Sequence, residues 1–156
     1  YIDSIKKLRK FIPEIAVTTD IIVGFPGETE NDFEQTVTVL REVKFDNIFV
    51  FKYSSRPGTF AATYNDNVPY AEKMRRNKVL LAEQDVISLE LNRKLVGTVQ
   101  EVMLEGPSLR NPEKWAGRTK TNKITVFSPV KNICVGDLVN ILIRDVKPQT
   151  LYGEII

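Results

Sequence analysis

Three short stretches of this 156-residue chain hold residue types and spacings that could do chemistry. The first is Asp20 ahead of Gly24-Phe25-Pro26-Gly27-Glu28-Thr29, where an apolar run turns into a helix opened by Thr29, with Asp32 at capping-box spacing. Such a turn points backbone groups and a helix N-terminus at one spot, and suits an adenosine-containing cofactor held through the backbone with Asp20 and Glu28 as polar handles. It equally describes a tight βα turn whose glycines permit positive φ and whose glutamate complements the helix dipole; on spacing alone this plainer reading leads. The second stretch is Ser54-Ser55-Arg56-Pro57-Gly58-Thr59. Arg56 is either a fork for phosphate or carboxylate on a rigid Pro-Gly turn or a solvated arginine in a connection, and Phe51 and Tyr53 either stack on a ligand or pack inward. The third is Arg118, Lys120 and Lys123 near Trp115 and Phe127. Cations beside aromatic rings suit unstacked RNA, which needs charge for its phosphates and π-faces for its bases. The alternative is a solvated hairpin with both rings in a core.

Other chemistry is excluded within this chain. It contains no histidine, so imidazole acid–base catalysis and the usual zinc sites cannot be built. A single Cys134 supports neither a disulfide framework nor a cysteine metal cluster. Apolar content of 42%, charged content of 27% and a net charge of +2 describe an ordinary globular composition, permitting a nucleic-acid partner without requiring one. No apolar run is long enough for a membrane span, and a cytoplasmic setting is the default expectation. A start at Tyr1, without methionine, reads as a piece of a longer protein.

The elements that must position these residues follow from periodicity. Ile5, Leu8 and Ile12 predict a helix over 2–11, ended by Pro13. The β-branched run from Ile15 to Gly24 predicts a strand buried on both faces, as in a parallel sheet. Phe33, Val37 and Leu40 predict a helix from Glu30 to Val43, and Asn47 to Tyr53 a second strand, closing a β-α-β unit. A polar linker over 63–69 leads to a long helix to about Leu95, with Met74, Leu81, Ile87, Leu91 and Leu95 as its apolar stripe. Beyond Gly97, runs at 98–105, 115–121, 124–127, 138–146 and 149–156 predict a small antiparallel barrel, with turns at Thr121-Asn122-Lys123, Val135-Gly136-Asp137 and Lys147-Pro148. The expected organisation is an α/β part over 1–68, a connecting helix over 69–95 and an all-β part over 96–156.

Taken together, Thr19-Asp20-Ile21-Ile22-Val23-Gly24-Phe25-Pro26-Gly27-Glu28-Thr29, Phe51-Lys52-Tyr53-Ser54 and Arg56-Pro57-Gly58-Thr59 resemble the later part of the radical S-adenosylmethionine barrel of methylthiotransferases. The β-rich part resembles their C-terminal TRAM domain. Glu105-Gly106-Pro107-Ser108, Gly117-Arg118-Thr119, Asn122 and Val126-Phe127 match the tRNA-modifying subfamily better than the one acting on a ribosomal protein. The resemblance covers essentially the whole chain and reverses the plainer readings of the turn and the small barrel. The sequence departs from the general radical-enzyme pattern, with Asp20 where the first glycine stands, Gly27 in place of the glutamate and Glu28 one residue late. Ser55 and Phe60 replace two family prolines.

The resemblance implies the C-terminal part of a partial (β/α) barrel followed by a five-stranded OB-like barrel. It implies S-adenosylmethionine against Asp20, Ile22, Val23, Gly24, Glu28, Phe51 and Tyr53, and RNA contacts at Arg56, Arg118, Lys120, Asn122 and Lys123. The parent enzyme would carry two [4Fe–4S] clusters with ligands outside this chain, since cysteine thiolates hold such clusters. It would methylthiolate an isopentenyl-modified adenosine at tRNA position 37, bind the anticodon stem-loop and act as a monomer off the membrane. The chain alone, with no catalytic or metal-binding residue, would be inactive. Sister enzymes acting on threonylcarbamoyladenosine or on a ribosomal protein, and a stand-alone RNA-binding module, stay open as alternatives.

Overall fold

Thr29 opens its helix as the spacing predicts, and in the computed structural model, which describes residues 1–156, the capping box is reciprocal. The Thr29 hydroxyl accepts from the Asp32 N–H at 3.2 Å, while Asp32 Oδ2 accepts from the Thr29 N–H at 2.9 Å, satisfying donors that a helix start leaves orphaned. The chain divides into two compact units, Tyr1–Ile87 and Ser88–Ile156.

In the first unit, α1 (Ile2–Phe11), β1 (Thr18–Val23), α2 (Glu30–Val43) and β2 (Asn47–Lys52) are followed by a 3-10 turn (Phe60–Thr63) and α3, which runs Tyr70–Arg93 into the second unit. Phe33, Val37, Leu40 and Val43 are the buried face of α2, which ends in a left-handed Lys44 at φ 52°. The β1–β2 pair is parallel, in register from Thr18↔Asn47 to Val23↔Lys52. The strand expected to be buried on both faces is buried on one. Thr19 and Ile21 face Thr36, Val39 and Leu40 of α2 across a small cleft. Asp20, Ile22, Phe49 and Phe51 lie on the opposite, open face, with Ile22 54% and Phe51 55% exposed. A two-stranded sheet with a helix on one side has nothing to cover the other; continuous hydrophobicity records a propensity for burial on both faces, which this unit does not supply.

The stripe predicted on α3 is also corrected. Leu81 is exposed, and the buried positions are Lys73, Arg76, Leu80, Gln84, Ile87, Ser88 and Asn92, still at helical spacing but mostly polar. The side-chain amides on this face donate to backbone carbonyls. Gln84 donates to the Phe45 carbonyl at 2.8 Å, and Asn92, in the second unit, to the carbonyls of Lys147 and Pro148 at 2.9 and 3.0 Å.

The second unit is a closed barrel of β3 (Val99–Pro107), β4 (Trp115–Thr119), β5 (Ile124–Phe127), β6 (Leu138–Lys147) and β7 (Thr150–Ile155), in the order β3-β4-β5-β7-β6. It is not wholly antiparallel, because β5 and β7 pair in parallel. The chain leaves β5, enters β6 beside β3, and returns through the Pro148-Gln149 hairpin, so β7 closes the ring running with β5. Val102, Leu104, Phe127, Ile141, Ile143 and Leu151 fill the interior, with Trp115 half-buried against them. Gly117 is required where β4 crosses β3: a Cβ there would collide with the Met103 backbone and the Val102 side chain.

Candidate functional site

At the β1–α2 turn, Gly24 and Gly27 take φ of 70° and 87°, and the Glu28 N–H closes the turn on the Phe25 carbonyl at 2.9 Å. Glu28 folds back into this turn. Its Oε2 accepts from the Gly24 N–H and from Arg76 Nη1 of α3, the latter at 2.7 Å. Both side chains are nearly buried, with 12% and 5% of their surface exposed. Arg76 also donates from Nε to Glu72 at 2.8 Å and reaches Glu30 at 3.4 Å. Burial opposes the Arg76 charge, but hydrogen bonds to Glu28 and Glu72 prevail and raise its pKa. Hydrogen bonds from Arg75 and then Arg76 hold the Glu72 carboxyl down to about 2.

Lys73 closes the turn from the same helix. Its Nζ donates to both oxygens of Asp66 at 2.7 Å and sits 5.1 Å from the Tyr53 ring centroid. The Lys73 stem fills the space a Cβ at Gly24 would need, a second reason for glycine there besides its positive φ. Asn67 accepts from the Gly27 N–H at 2.8 Å.

The residues expected on the cofactor side therefore fall into two groups. Asp20, Ile22 and Phe51 share the open face of the β1–β2 sheet. The side chain of Val23 is fully buried, Gly24 and Glu28 are engaged by Lys73 and Arg76, and Tyr53 packs edge-on against Phe25 at 5.2 Å while its hydroxyl donates to the Ala61 carbonyl at 3.0 Å. Arg56 stands exposed on a turn in which the Thr59 N–H and hydroxyl both donate to its carbonyl. Lys73, Arg76 and Asp66 were missed as partners of the turn. The available signal was the polar series Lys73, Arg76, Gln84, Ser88 at helical spacing, broken only by Leu80.

On the barrel, Arg118 lies opposite Met103 of β3, and Asn122, at φ 62°, forms the tip of the β4–β5 hairpin. Arg118 donates from Nε to Glu105 at 2.9 Å and from Nη1 to Asn122 Oδ1 at 3.1 Å. Lys120 pairs with Glu101 at 3.1 Å, and the half-buried Lys123 donates its N–H to the Thr119 hydroxyl at 3.1 Å. Phe127 is a core ring. An outward aromatic that sequence reasoning missed is Tyr152 on β7, with Lys147 Nζ 5.5 Å from its ring centroid.

Cys134 is exposed, and no group of three or more His, Cys, Asp or Glu side chains could hold a metal ion. No helix is long and apolar enough to cross a membrane.

A family model described as the TRAM domain matches residues 93–156. The whole chain is similar to proteins named tRNA-2-methylthio-N(6)-dimethylallyladenosine synthase: 43% identical over 99% of the chain to that of Syntrophomonas wolfei, and 46% identical over 100% of it to those of Carboxydothermus hydrogenoformans and Acetivibrio thermocellus. The similarity to these synthases runs through both units of the chain. The TRAM match covers the β3–β7 barrel, and the Gly24 turn and open sheet face lie in the part of the chain that precedes it. The chain spans about a third of the length of these curated relatives, 32% to 35%.

Proposed function

We propose that this chain is the C-terminal part of a tRNA methylthiotransferase that converts N6-isopentenyladenosine at position 37 to its 2-methylthio derivative. The observation that carries this reading is identity of 41–46% across nearly the entire chain to synthases named for that product, with a TRAM domain at the matching end. In this reading residues 1–68 contribute the later wall of a radical S-adenosylmethionine barrel, residues 69–95 connect it, and residues 96–156 bind the anticodon stem-loop.

S-adenosylmethionine would supply the hydrogen-abstracting chemistry of the reaction. The open face fits an adenosine, because Ile22 and Phe51 lie side by side in register and are more than half exposed, beside Asp20. An adenine ring can lie on such apolar side chains, and the Asp20 carboxylate is an acceptor for its amine or ribose hydroxyls. Val23 and Gly24 would contribute backbone only. Glu28 acts as a strut that holds the turn through the Gly24 N–H, with Arg76 holding Glu28 in turn. Tyr53 supports the turn from below through Phe25. Arg56, exposed at the end of β2, would take an RNA phosphate. The residues of this chain do not fit an iron–sulfur cluster, since its one cysteine stands alone. Any cluster would take its ligands from outside residues 1–156, and the chain by itself is expected to be inactive.

The test is nucleoside analysis of tRNA from a strain lacking the gene. Loss of 2-methylthio-isopentenyladenosine, with isopentenyladenosine accumulating in its place, is expected. An unchanged level, or loss of the methylthio-threonylcarbamoyl nucleoside instead, would overturn the assignment.

A further inference from the structure

The cations expected to form an RNA-binding patch do not face solvent alone. On the outer surface of the barrel, β3 presents Glu101, Met103 and Glu105 beside β4, and the pairing Met103↔Arg118 sets one glutamate on each side of Arg118. Lys120 is held by Glu101 at 3.1 Å and Arg118 by Glu105 at 2.9 Å. Arg118 and Lys120 bring two positive charges to this face, and Glu105 and Glu101 offset both.

Both pairs are exposed, with side-chain exposures of 37% to 79%. Pairs of this kind contribute about 0–1 kcal/mol, so a phosphate that arrives in the right place can displace the carboxylate at little cost. The displaced carboxylates stay beside it and repel any further phosphate they face. Non-specific RNA affinity comes almost entirely from phosphate neutralisation and counterion release, so it suffers most from such neighbours. An RNA that adds contacts of shape or base to the exchange suffers proportionately less.

We propose that Glu101 and Glu105 determine RNA specificity: they occupy Arg118 and Lys120 in the free protein and hold unspecific RNA off this face. The inference rests on the RNA-binding reading of the TRAM domain. It differs from a simple basic patch, in which the glutamates would be incidental.

The experiment uses the 156-residue chain, its Glu101→Gln/Glu105→Gln variant and two fluorescent RNAs, an isopentenyl-modified anticodon stem-loop and an unrelated single strand of equal length, titrated across 50–200 mM salt. The double variant is expected to bind the unrelated strand about three- to tenfold more tightly, with a salt slope steeper by about one to two, while the stem-loop gains less, so that discrimination falls. Glutamine is isosteric and both positions are exposed, so thermal unfolding should be unchanged. Glu154→Gln, which frees Arg144 on the β6–β7 surface, controls for total charge against Glu105→Gln alone and should leave discrimination as it was. If the wild-type chain binds but the double variant binds the unrelated strand no better, or if Glu154→Gln acts as strongly as Glu105→Gln, the inference fails while the RNA reading stands. If the wild-type chain binds neither RNA, or binds them with affinities that Arg118→Ala leaves unchanged, both fail together.

Discussion

Arg76 is the residue on which the β1–α2 turn depends most. Its guanidinium bridges Glu28, Glu72 and Glu30, and with 5% of its side chain exposed it has almost no water to fall back on. Truncating one member of a buried pair leaves the other charge uncompensated, which costs more than the pair itself contributes. Arg76→Ala is therefore expected to destabilise the first unit by about 3 kcal/mol. Its neighbour Arg75 pairs with Glu30 and Glu72 at 2.6 Å but is 46% exposed, so Arg75→Ala should cost below about 1 kcal/mol. Urea titration read through amide exchange of β1 and β2 compares the two, and equal losses would contradict the burial argument. The sequence shows why half of this was legible. Gly24, Gly27, Thr29 and Asp32 are local and their spacing carries their geometry, whereas Arg76 is 48 residues from Glu28 and meets it only through tertiary packing. The same limit hid Glu101 and Glu105, because Arg118 and Lys120 read as a basic cluster until β3 is placed beside β4.

Among the elements, α2 was fully readable, since a capping box, an apolar face at helical spacing and a charged outer face all agree on Glu30–Val43. The β1 strand and α3 were readable as elements but not in their burial. The apolar content of β1 lies on both faces though only one is covered, and α3 buries polar side chains that hydrogen-bond backbone and carboxylates. The parallel β5–β7 seam was invisible for another reason: periodicity marks strands but does not order them. The ion-pair layer along the N-terminal turns of α3 has a consequence for acid stability. The Glu72 carboxyl is lowered from 4.5 to about 2 by hydrogen bonds from Arg75 and Arg76, Asp32 is lowered by the Thr29 hydroxyl and N–H, and Glu83 by Arg41. For each, the unfolded chain binds the proton more readily than the folded one. The stabilisation is thus complete above the unfolded pKa and is lost as pH falls through the folded value. For Glu72 that window runs from about 4.5 down to about 2. Urea midpoints of the first unit are expected to fall with pH across this range, and Glu72→Gln should flatten the fall; an unaltered profile in the variant would place the acid sensitivity elsewhere.

For the molecule as a whole, the two units differ in how they treat strand edges. The barrel leaves none: each of β3 to β7 is paired on both sides, and Val102, Ile141, Ile143 and Leu151 are completely buried within the ring. The β1–β2 sheet has two strands and therefore an unpaired edge on each, with Ile22, Phe49 and Phe51 bare on its open face. Parallel pairs are found almost always inside larger sheets covered on both faces, and two strands are too few for a sheet to be stable by itself. The first unit consequently relies on the core contributed by α2 on one face of the sheet and on the buried ion pairs that α3 makes to the β1–α2 turn. Hydrogen exchange on the 156-residue chain should therefore show two levels of protection. Amides of residues 97–156 that bond across the barrel are expected to exchange only through unfolding of the ring. Those of β1 and β2 should exchange faster by local opening, with β1–β2 pairs such as Asp20↔Phe49 opening ahead of the α2 interior. Equal protection in residues 1–68 and 97–156 would mean that the one-sided core suffices. Faster exchange in β1 and β2 would instead identify the bare apolar face as the place where this part of the protein lacks packing, the same face on which the proposed function sets the cofactor.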